Sequence, residues 1–339
     1  VRTHQKDHQR SPANHDTLPM MHVVIPVALG LAAAYFLLGR KGGKKQPVEG
    51  AVLVTGCDSG IGEMTAIYLA KQGFHVFAGH LMADSASQLQ AQAGTTRLTP
   101  VHLDITDAAS LAKAVEIVKK GCDAKGLVGM VNVAAVAFTG PVEYLPVDMF
   151  RRQIEVNLTG TYGAIQAFMP LMRESAAKPG ARRGRIVVFG TGGGVPNPSV
   201  PLISGYMASK WGLDALVQSF RIELKLNKLP IDCSLINPGI TKPTALAANG
   251  AALLAKARKA MGPKMEEEYG HLIDKFLAFN EKEKGTHPSV AVGRVFDLLT
   301  EANPPLRYRT GFDSKAGAVV GHLPPAAREF IIMKAMFEQ

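Results

Sequence analysis

Apolar and polar positions follow two alternating periods along most of the chain. Short β-rich apolar runs stand at Val52–Thr55, Phe74–Ala78, Leu98–Leu103, Val128–Ala134, Gly184–Phe189 and Ile231–Ile236. Between them the spacing is helical: Glu63–Gln72, a polar stretch through Gln92, Ala108–Lys120, a long run Met149–Met172 broken near Pro170, and Ser204–Leu226. Strands that lack a polar face are buried on both sides. The order therefore predicts an α/β, doubly wound parallel sheet with helices on both faces, a Rossmann fold. Residues 241–300 read as helical and more polar, with a lid over about 241–280. An insertion after a late strand of such a sheet lies over its carboxyl ends, where ligands bind.

Ahead of residue 50 the pattern changes. Residues 1–19 are polar and His-rich and read as a disordered tail. Met20–Leu38 is uncharged and apolar, at about the 20 residues that span a bilayer. A basic linker, 39–49, follows with Arg40, Lys41, Lys44 and Lys45. Positive charge after the apolar run predicts an uncleaved single-pass transmembrane helix, with the large domain (50–339) on the cytosolic side. Such an anchor fits the endoplasmic reticulum first and a mitochondrial membrane second.

Composition adds exclusions. Residues 1–48 hold seven Lys/Arg against two Asp, so half of the net charge of +10 belongs to the anchor region. With no basic patch interleaved with aromatics in the rest, no nucleic acid partner is expected. The three cysteines, Cys57, Cys122 and Cys233, are far apart and form no CxxC. That usage predicts buried thiols in a reducing compartment, with neither a disulfide framework nor a metal site.

The first strand runs into Thr55-Gly56-Cys57-Asp58-Ser59-Gly60-Ile61-Gly62 and then a helix. Glycines placed there let the backbone turn tightly and approach a pyrophosphate, which the free N–H groups of the helix start would hold. A ribose-binding acid is expected at the end of the second strand, yet Gly79–Asp84 offers neither an acid nor an Arg at that spot. NAD or NADP thus both remain. Asp58, inside the phosphate loop, would repel a 2′-phosphate and tilts the choice towards NAD. Asp104 ends the third strand, where it either accepts from the adenine edge or caps the helix at Ala108. Tyr206 and Lys210, four apart, share one helix face. A nearby ammonium, together with a positively charged nicotinamide, would favour the phenolate, so Tyr206 is a candidate general base or acid with its pKa drawn towards neutrality.

With these residues in place, the chain resembles the short-chain dehydrogenase/reductase family over residues 50–339. The family's TGxxxGxG motif corresponds to Thr55–Gly62. Its NNAG appears altered as Asn132-Val133-Ala134-Ala135, and its helix Asn as Asn157. Its YxxxK is Tyr206 with Lys210, and its PG motif is Pro238-Gly239-Ile240-Thr241. The segments Gly56–Gly60, Val76–Met82, Arg307–Lys315 and His322-Leu-Pro look like the branch of retinol, 17β-hydroxysteroid and 3-hydroxybutyrate dehydrogenases.

The resemblance implies an NAD(P)-dependent oxidoreductase that interconverts an alcohol and its carbonyl, with a small lipophilic substrate that is retinoid or steroid-like. It implies that Asn157 holds a water linking Lys210 to solvent, and that Lys210 binds the nicotinamide ribose and lowers the pKa of Tyr206. Tyr206 passes the proton, while the backbone after Pro238-Gly239, with Thr241, orients the carboxamide. Thr191 takes the place of the family's Ser on the loop after the fifth strand, farther upstream of the tyrosine than usual. Val133 and Ala135 replace an Asn and a Gly beside the cofactor. These departures keep a second reading open, a catalytically impaired cofactor-binding protein on the same fold. Members of the family commonly form a homo-oligomer. The apolar stretch Phe330–Phe337 suits a membrane surface or a subunit contact.

Overall fold

The computed structural model describes residues 45–192, 194–196, 198–243 and 250–337. The predicted tail, the transmembrane anchor and most of the basic linker lie outside the described residues. Among those described, no helix is long and apolar enough to cross a membrane.

Seven parallel strands form one sheet: β1 (Ala51–Val54), β2 (His75–His80), β3 (Leu98–His102), β4 (Leu127–Asn132), β5 (Gly184–Phe189), β6 (Ile231–Pro238) and β7 (Arg307–Thr310), in the order 3-2-1-4-5-6-7. The strand order reverses between β1 and β4. Helices leave that point towards opposite faces and open a crevice at the carboxyl end of the sheet. One face carries α1 (Gly60–Lys71), α2 (Ser85–Ala93) and α9 (Pro288–Thr300). Their buried Leu69, Leu89, Val295 and Leu298 pack with Val52, Val54 and Val131 of the sheet. The other face carries α3 (Ala108–Gly121), α5 (Thr161–Ala176) and α6 (Ser204–Leu226), where Val118, Phe168, Leu213 and Val217 meet Leu53, Met130 and Val188. β1, β4 and β5 are buried throughout. This is why they read as largely apolar runs rather than alternating ones, with the buried Arg185 of β5 ion-paired to Asp232 at 2.6 Å.

Two expectations need correction. The sequence pattern shows six strands, because the seventh reads Arg-Tyr-Arg-Thr and has no apolar run. It is an edge strand, recruited by pairing Leu235–Pro238 of β6 with Arg307–Thr310. The single helix Met149–Met172 is in fact α4 (Val147–Ile154), a wide π-helical turn (Glu155–Gly160) and α5. The irregularity stands at Asn157, not at Pro170. Pro170 is exposed inside α5, so the carbonyl it frees one turn back faces water. Asn157 is instead pulled inward by buried partners, and π-turns of this kind gather at functional positions.

Above the carboxyl end stand α7 (Gly250–Met261) and α8 (Pro263–Lys282), joined through Gly262 at φ +82°. Ala257, Met261, Met265, Ile273 and Phe276 form their buried core, which rests on Leu145 and Leu202. Two crossed pairs fasten α8 to the loop after β4: Tyr144 donates to Glu268, and Tyr269 donates to Glu143 at 3.0 Å. After β7 come α10 (Phe312–Val320) and α11 (Pro325–Phe337). The far end of α11 packs on the lid core through Met336 and Phe337, while Phe330 and Met333 remain exposed.

Candidate active site

The turn after β1 is dictated by backbone sterics. Gly56 and Gly60 take φ of +71° and +63°, where glycine alone is unstrained. A Cβ on Gly56 would stand 2.7 Å from the Ala134 Cα, and one on Gly62 would overlap the Gly56 carbonyl oxygen. Ser59 is the extended residue before α1, its side chain making no capping bond, and Ile61 packs into the core behind. Thr55 accepts from the backbone N–H of Val133 at 3.1 Å and of Ala134 at 3.3 Å. One hydroxyl thereby joins the β1 turn to the β4 end, and the altered NNAG backbone keeps an anchor despite Val133.

Asp58 points to the end of β2. It accepts from the N–H groups of Leu81 (2.9 Å) and Met82 (2.7 Å) and from the Ser85 hydroxyl (2.9 Å). Its charge stays inside the loop, but its oxygens organise the segment where a ribose-binding group is expected. His80, at the end of β2, is buried, with its Nδ1 3.0 Å from the Met82 carbonyl.

Asp104 does not cap the following helix. Asp107 does so, accepting from Ala109 N–H at 2.9 Å, because it is the residue directly before α3. One oxygen of Asp104 accepts from the Thr106 amide (2.8 Å) and hydroxyl (2.7 Å), while its other oxygen has no partner among the described residues. Burial works to raise the carboxyl pKa. The Thr106 bonds, with Arg152 and His102 nearby, outweigh it and hold the group below its ordinary value. Asn132, buried at the end of β4, has an Oδ1 with no partner. A crowded glycine turn at a helix start, an unpaired carboxylate oxygen and an orphaned buried amide oxygen along one crevice fit a dinucleotide.

The chemistry-bearing side chains converge at the carboxyl ends of β4, β5 and β6. Asn157 Oδ1 accepts from Val136 N–H at 2.8 Å. Its Nδ2 donates to the Val136 carbonyl (2.9 Å) and to Ser209 Oγ (3.0 Å), and Ser209 donates to the Tyr206 carbonyl at 2.7 Å. The Asn157 side chain thus clamps the β4 loop to α6. Ser209 is a link that the sequence reading passed over; its only signal is its place one residue before Lys210.

Lys210 is buried and donates to the Phe189 carbonyl at 2.7 Å, and burial lowers its pKa to about 8. Its Nζ stands 5.7 Å from the centre of the Tyr206 ring. The Thr191 side chain stands near enough to the Tyr206 phenol to favour its ionised form. Burial raises that phenol to about 12, against the lowering by Thr191. In the protein alone, desolvation outweighs the lowering by Thr191, and a phenol drawn towards neutrality would need the positive charge of the nicotinamide as well.

Pro238 and Gly239 end β6. Thr241 donates to the Gly239 carbonyl at 2.9 Å. The Ile240 N–H donates to Asp313 at 2.6 Å, and the Ile240 carbonyl accepts from Thr286 N–H at 2.8 Å. Both main-chain groups of Ile240 are therefore bonded within the protein. Asp313 also lies against Gly239, where a Cβ would overlap its carboxylate. That contact comes from α10; its segment, Arg307–Lys315, is among those that look like the branch, but nothing in the spacing ties it to Gly239.

A family model of short chain dehydrogenases matches residues 50–252. The chain belongs to this family. It is 32% identical to retinol dehydrogenase 5 of Homo sapiens, over 86% of this chain and 90% of that protein. It is 31% identical to the mitochondrial D-beta-hydroxybutyrate dehydrogenase of Rattus norvegicus, over 76% of each. A solved short chain dehydrogenase from Burkholderia cenocepacia in complex with NADP superposes with a TM-score of 0.63 at 20% identity, over 85% of this chain and 99% of that one. The recognised branch thus has relatives at this level of identity, and the fold is that of the family.

Proposed function

We propose that the chain is an NAD(P)-dependent oxidoreductase that interconverts a lipophilic primary or secondary alcohol and its carbonyl. The observation that carries this reading is the meeting of Thr191 and Tyr206. Two hydroxyl-bearing side chains from different elements come together beside Lys210, at the carboxyl end of the sheet. A substrate oxygen that joins this pair would meet one donor and one proton acceptor.

In this reading Tyr206 takes the alcohol proton, or returns it to the carbonyl, and Thr191 holds the oxygen. The bound nicotinamide supplies the hydride acceptor or donor and, when oxidised, a positive charge. Lys210 keeps two of its three donors for the cofactor ribose after bonding Phe189. Asn157 has its side chain committed to Val136 and Ser209, and its carbonyl accepts from the Thr161 hydroxyl at 2.9 Å, so a water leading to solvent would share that carbonyl. Thr55–Gly62 hold the pyrophosphate, with Asp104 and Asn132 towards the adenosine end. Pro238–Thr241 face the carboxamide, and Ile240 would exchange at least one of its internal bonds for it. NAD remains slightly preferred on the charge of Asp58.

A lipophilic substrate is supported by the similarity to retinol dehydrogenase 5. Within the predicted lid, Met261, Met265 and Phe276 form the buried core of the lid itself. The hydropathy of Met20–Leu38 and the basic cluster after it support a single-pass anchor, in the endoplasmic reticulum or a mitochondrion.

The test is turnover by the full chain in detergent, followed through reduced-nicotinamide absorbance with NAD and NADP. The alcohols are a retinoid, a 17β- and a 3α-hydroxysteroid, and 3-hydroxybutyrate. Turnover of the lipophilic alcohols that Tyr206→Phe abolishes is expected. Tight cofactor binding without turnover in either direction would establish the cofactor-binding reading instead.

A further inference from the structure

The loop that presents Thr191 leaves β5 through Gly190 and crosses in front of a group of buried polar residues from two remote elements. Within it the Gly194 N–H donates to the Thr191 carbonyl at 2.8 Å, closing a turn. Behind Gly194 stand Asn237 and Asp214: a Cβ there would lie 2.6 Å from Asn237 Nδ2 and 3.5 Å from Asp214 Oδ2. Both residues are almost completely buried.

Asp214 is on α6, four residues after Lys210 and eight after Tyr206, so the three share one helix face. Its Oδ1 accepts from Gln218 at 2.8 Å and is ion-paired with Arg307. Arg307 and Arg309 are two apart on β7 and project from the same side of that strand. The Arg309 Nη2 donates to the Val195 carbonyl at 3.1 Å. An unbroken path thus runs from the helix of Tyr206 through Asp214, Arg307 and the β7 backbone to Arg309 and the Thr191 loop.

Such a path has a cost. Asp214 Oδ2 and the Nε atoms of Arg307 and Arg309 are buried without partners, and the two guanidinium groups oppose each other's charge. Packing alone would be served as well by apolar residues, since a buried ion pair is a weak source of stability. What charged, directional groups provide here is a fixed distance between β7 and a loop whose described glycines offer no side chains to hold it.

We propose that Arg309, seated by the Arg307–Asp214 pair, is a positioning residue that holds the Thr191–Val195 loop so that Thr191 meets Tyr206. The role rests on the oxidoreductase reading above. Arg309 touches neither substrate nor cofactor and acts through Thr191.

The test compares Arg309→Met, which keeps the stem and loses the donors, with Arg309→Lys, which keeps a donor. Amide hydrogen exchange of the peptide spanning 190–196 is read together with turnover, each also in a Thr191→Ala background. Arg309→Met is expected to speed exchange of the loop about tenfold. It should lower kcat about tenfold with the cofactor KM unchanged, in keeping with a small misplacement of a reacting group. Arg309→Lys should stay within about threefold of wild type in both. In the Thr191→Ala background Arg309→Met should cost no further turnover, because the group it positions is gone. Unchanged loop exchange in Arg309→Met would overturn the proposal. So would a turnover loss that persists undiminished without Thr191. Wild-type protein with no turnover would instead sink the oxidoreductase reading, and loop exchange alone would then decide whether Arg309 holds the loop.

Discussion

Two glycine-rich loops stand at the carboxyl end of the sheet, on either side of β4, each between a strand and a helix, and they are built on different principles. The loop after β1 is shaped by its own backbone: Gly56 and Gly60 have positive φ, and Gly62 touches the Gly56 carbonyl. In the loop after β5, no described glycine has positive φ. Gly190 and Gly194 are small there because the side chain of Asn237 fills the space a Cβ would need, at 2.5 and 2.6 Å. The first loop takes its turn from its own glycines, and bonds from Thr55 and Asp58 dock that turn on the ends of β4 and β2. The second is a packing arrangement that exists only once β6, β7 and α6 are in place. The turn at the cofactor end is therefore set by local backbone geometry, while the loop at the catalytic end depends on distant residues.

Substitutions can break that contrast. Gly62→Ala puts a methyl group into a backbone carbonyl that has nowhere to move, and cofactor binding should be lost, read by quenching or enhancement of nicotinamide fluorescence. Binding close to wild type would show that the first loop is not the rigid cradle described here. At the other end, Tyr206→Phe removes one oxygen and no packing. Turnover should fall by about 10²–10⁴-fold, the range of a lost general acid or base, with cofactor affinity nearly unchanged. A smaller fall would place the proton transfer elsewhere.

Gly190→Ala should destabilise by about 1–3 kcal/mol in chemical denaturation, as overpacking does. Because the obstacle is a side chain, Asn237→Ala should recover part of that loss. No second substitution should rescue Gly62→Ala in the same way. Failure of the Asn237→Ala rescue would mean that the second loop, too, is bound by its own backbone.

The smallest effect is one of pH. Lys210 has an ordinary pKa of 10.5 unfolded and about 8 when buried. Between these values the unfolded chain binds the extra proton, so stability should rise with pH across that window and be lost again as pH falls through 8. Tyr206, raised from 10 to about 12, works in the opposite sense: its contribution is whole below pH 10 and disappears as pH passes 12. Denaturation midpoints measured from pH 8 to 10 should therefore climb in wild type, and the Lys210→Met protein should show a flatter profile. Parallel profiles would mean that Lys210 is not desolvated as the structure places it.

Much of the fold is legible in the residue order because the central strands are buried on both faces and are therefore largely apolar. β7 is not, since an edge strand with two arginines is defined by its pairing with β6 and not by its composition. The π-turn at Asn157 escaped for a related reason: Pro170 is the visible helix breaker, yet its effect is met by solvent, whereas Asn157 is drawn inward by Val136 and Ser209. Within the site, Thr55–Gly62, Tyr206 and Lys210 announce themselves by spacing along one turn or one helix. Asp313, which sits on the Ile240 amide, and Arg309, which sits on the Val195 carbonyl, lie 73 and 114 residues from those partners and leave no local pattern.

The sequence by itself determined what is set by short-range geometry: the phosphate-loop turn, the shared face of Tyr206 and Lys210, and the layered α/β order. Steric limits on φ and the pitch of a helix act within a few residues. Only the tertiary structure decided the electrostatics of the catalytic end. Burial pushes Lys210 down and Tyr206 up, brings Thr191 to the phenol, and commits the Asn157 side chain and both main-chain groups of Ile240 to internal bonds. Desolvation and long-range hydrogen bonds depend on what the rest of the chain places around a group, and spacing along the sequence carries no record of that.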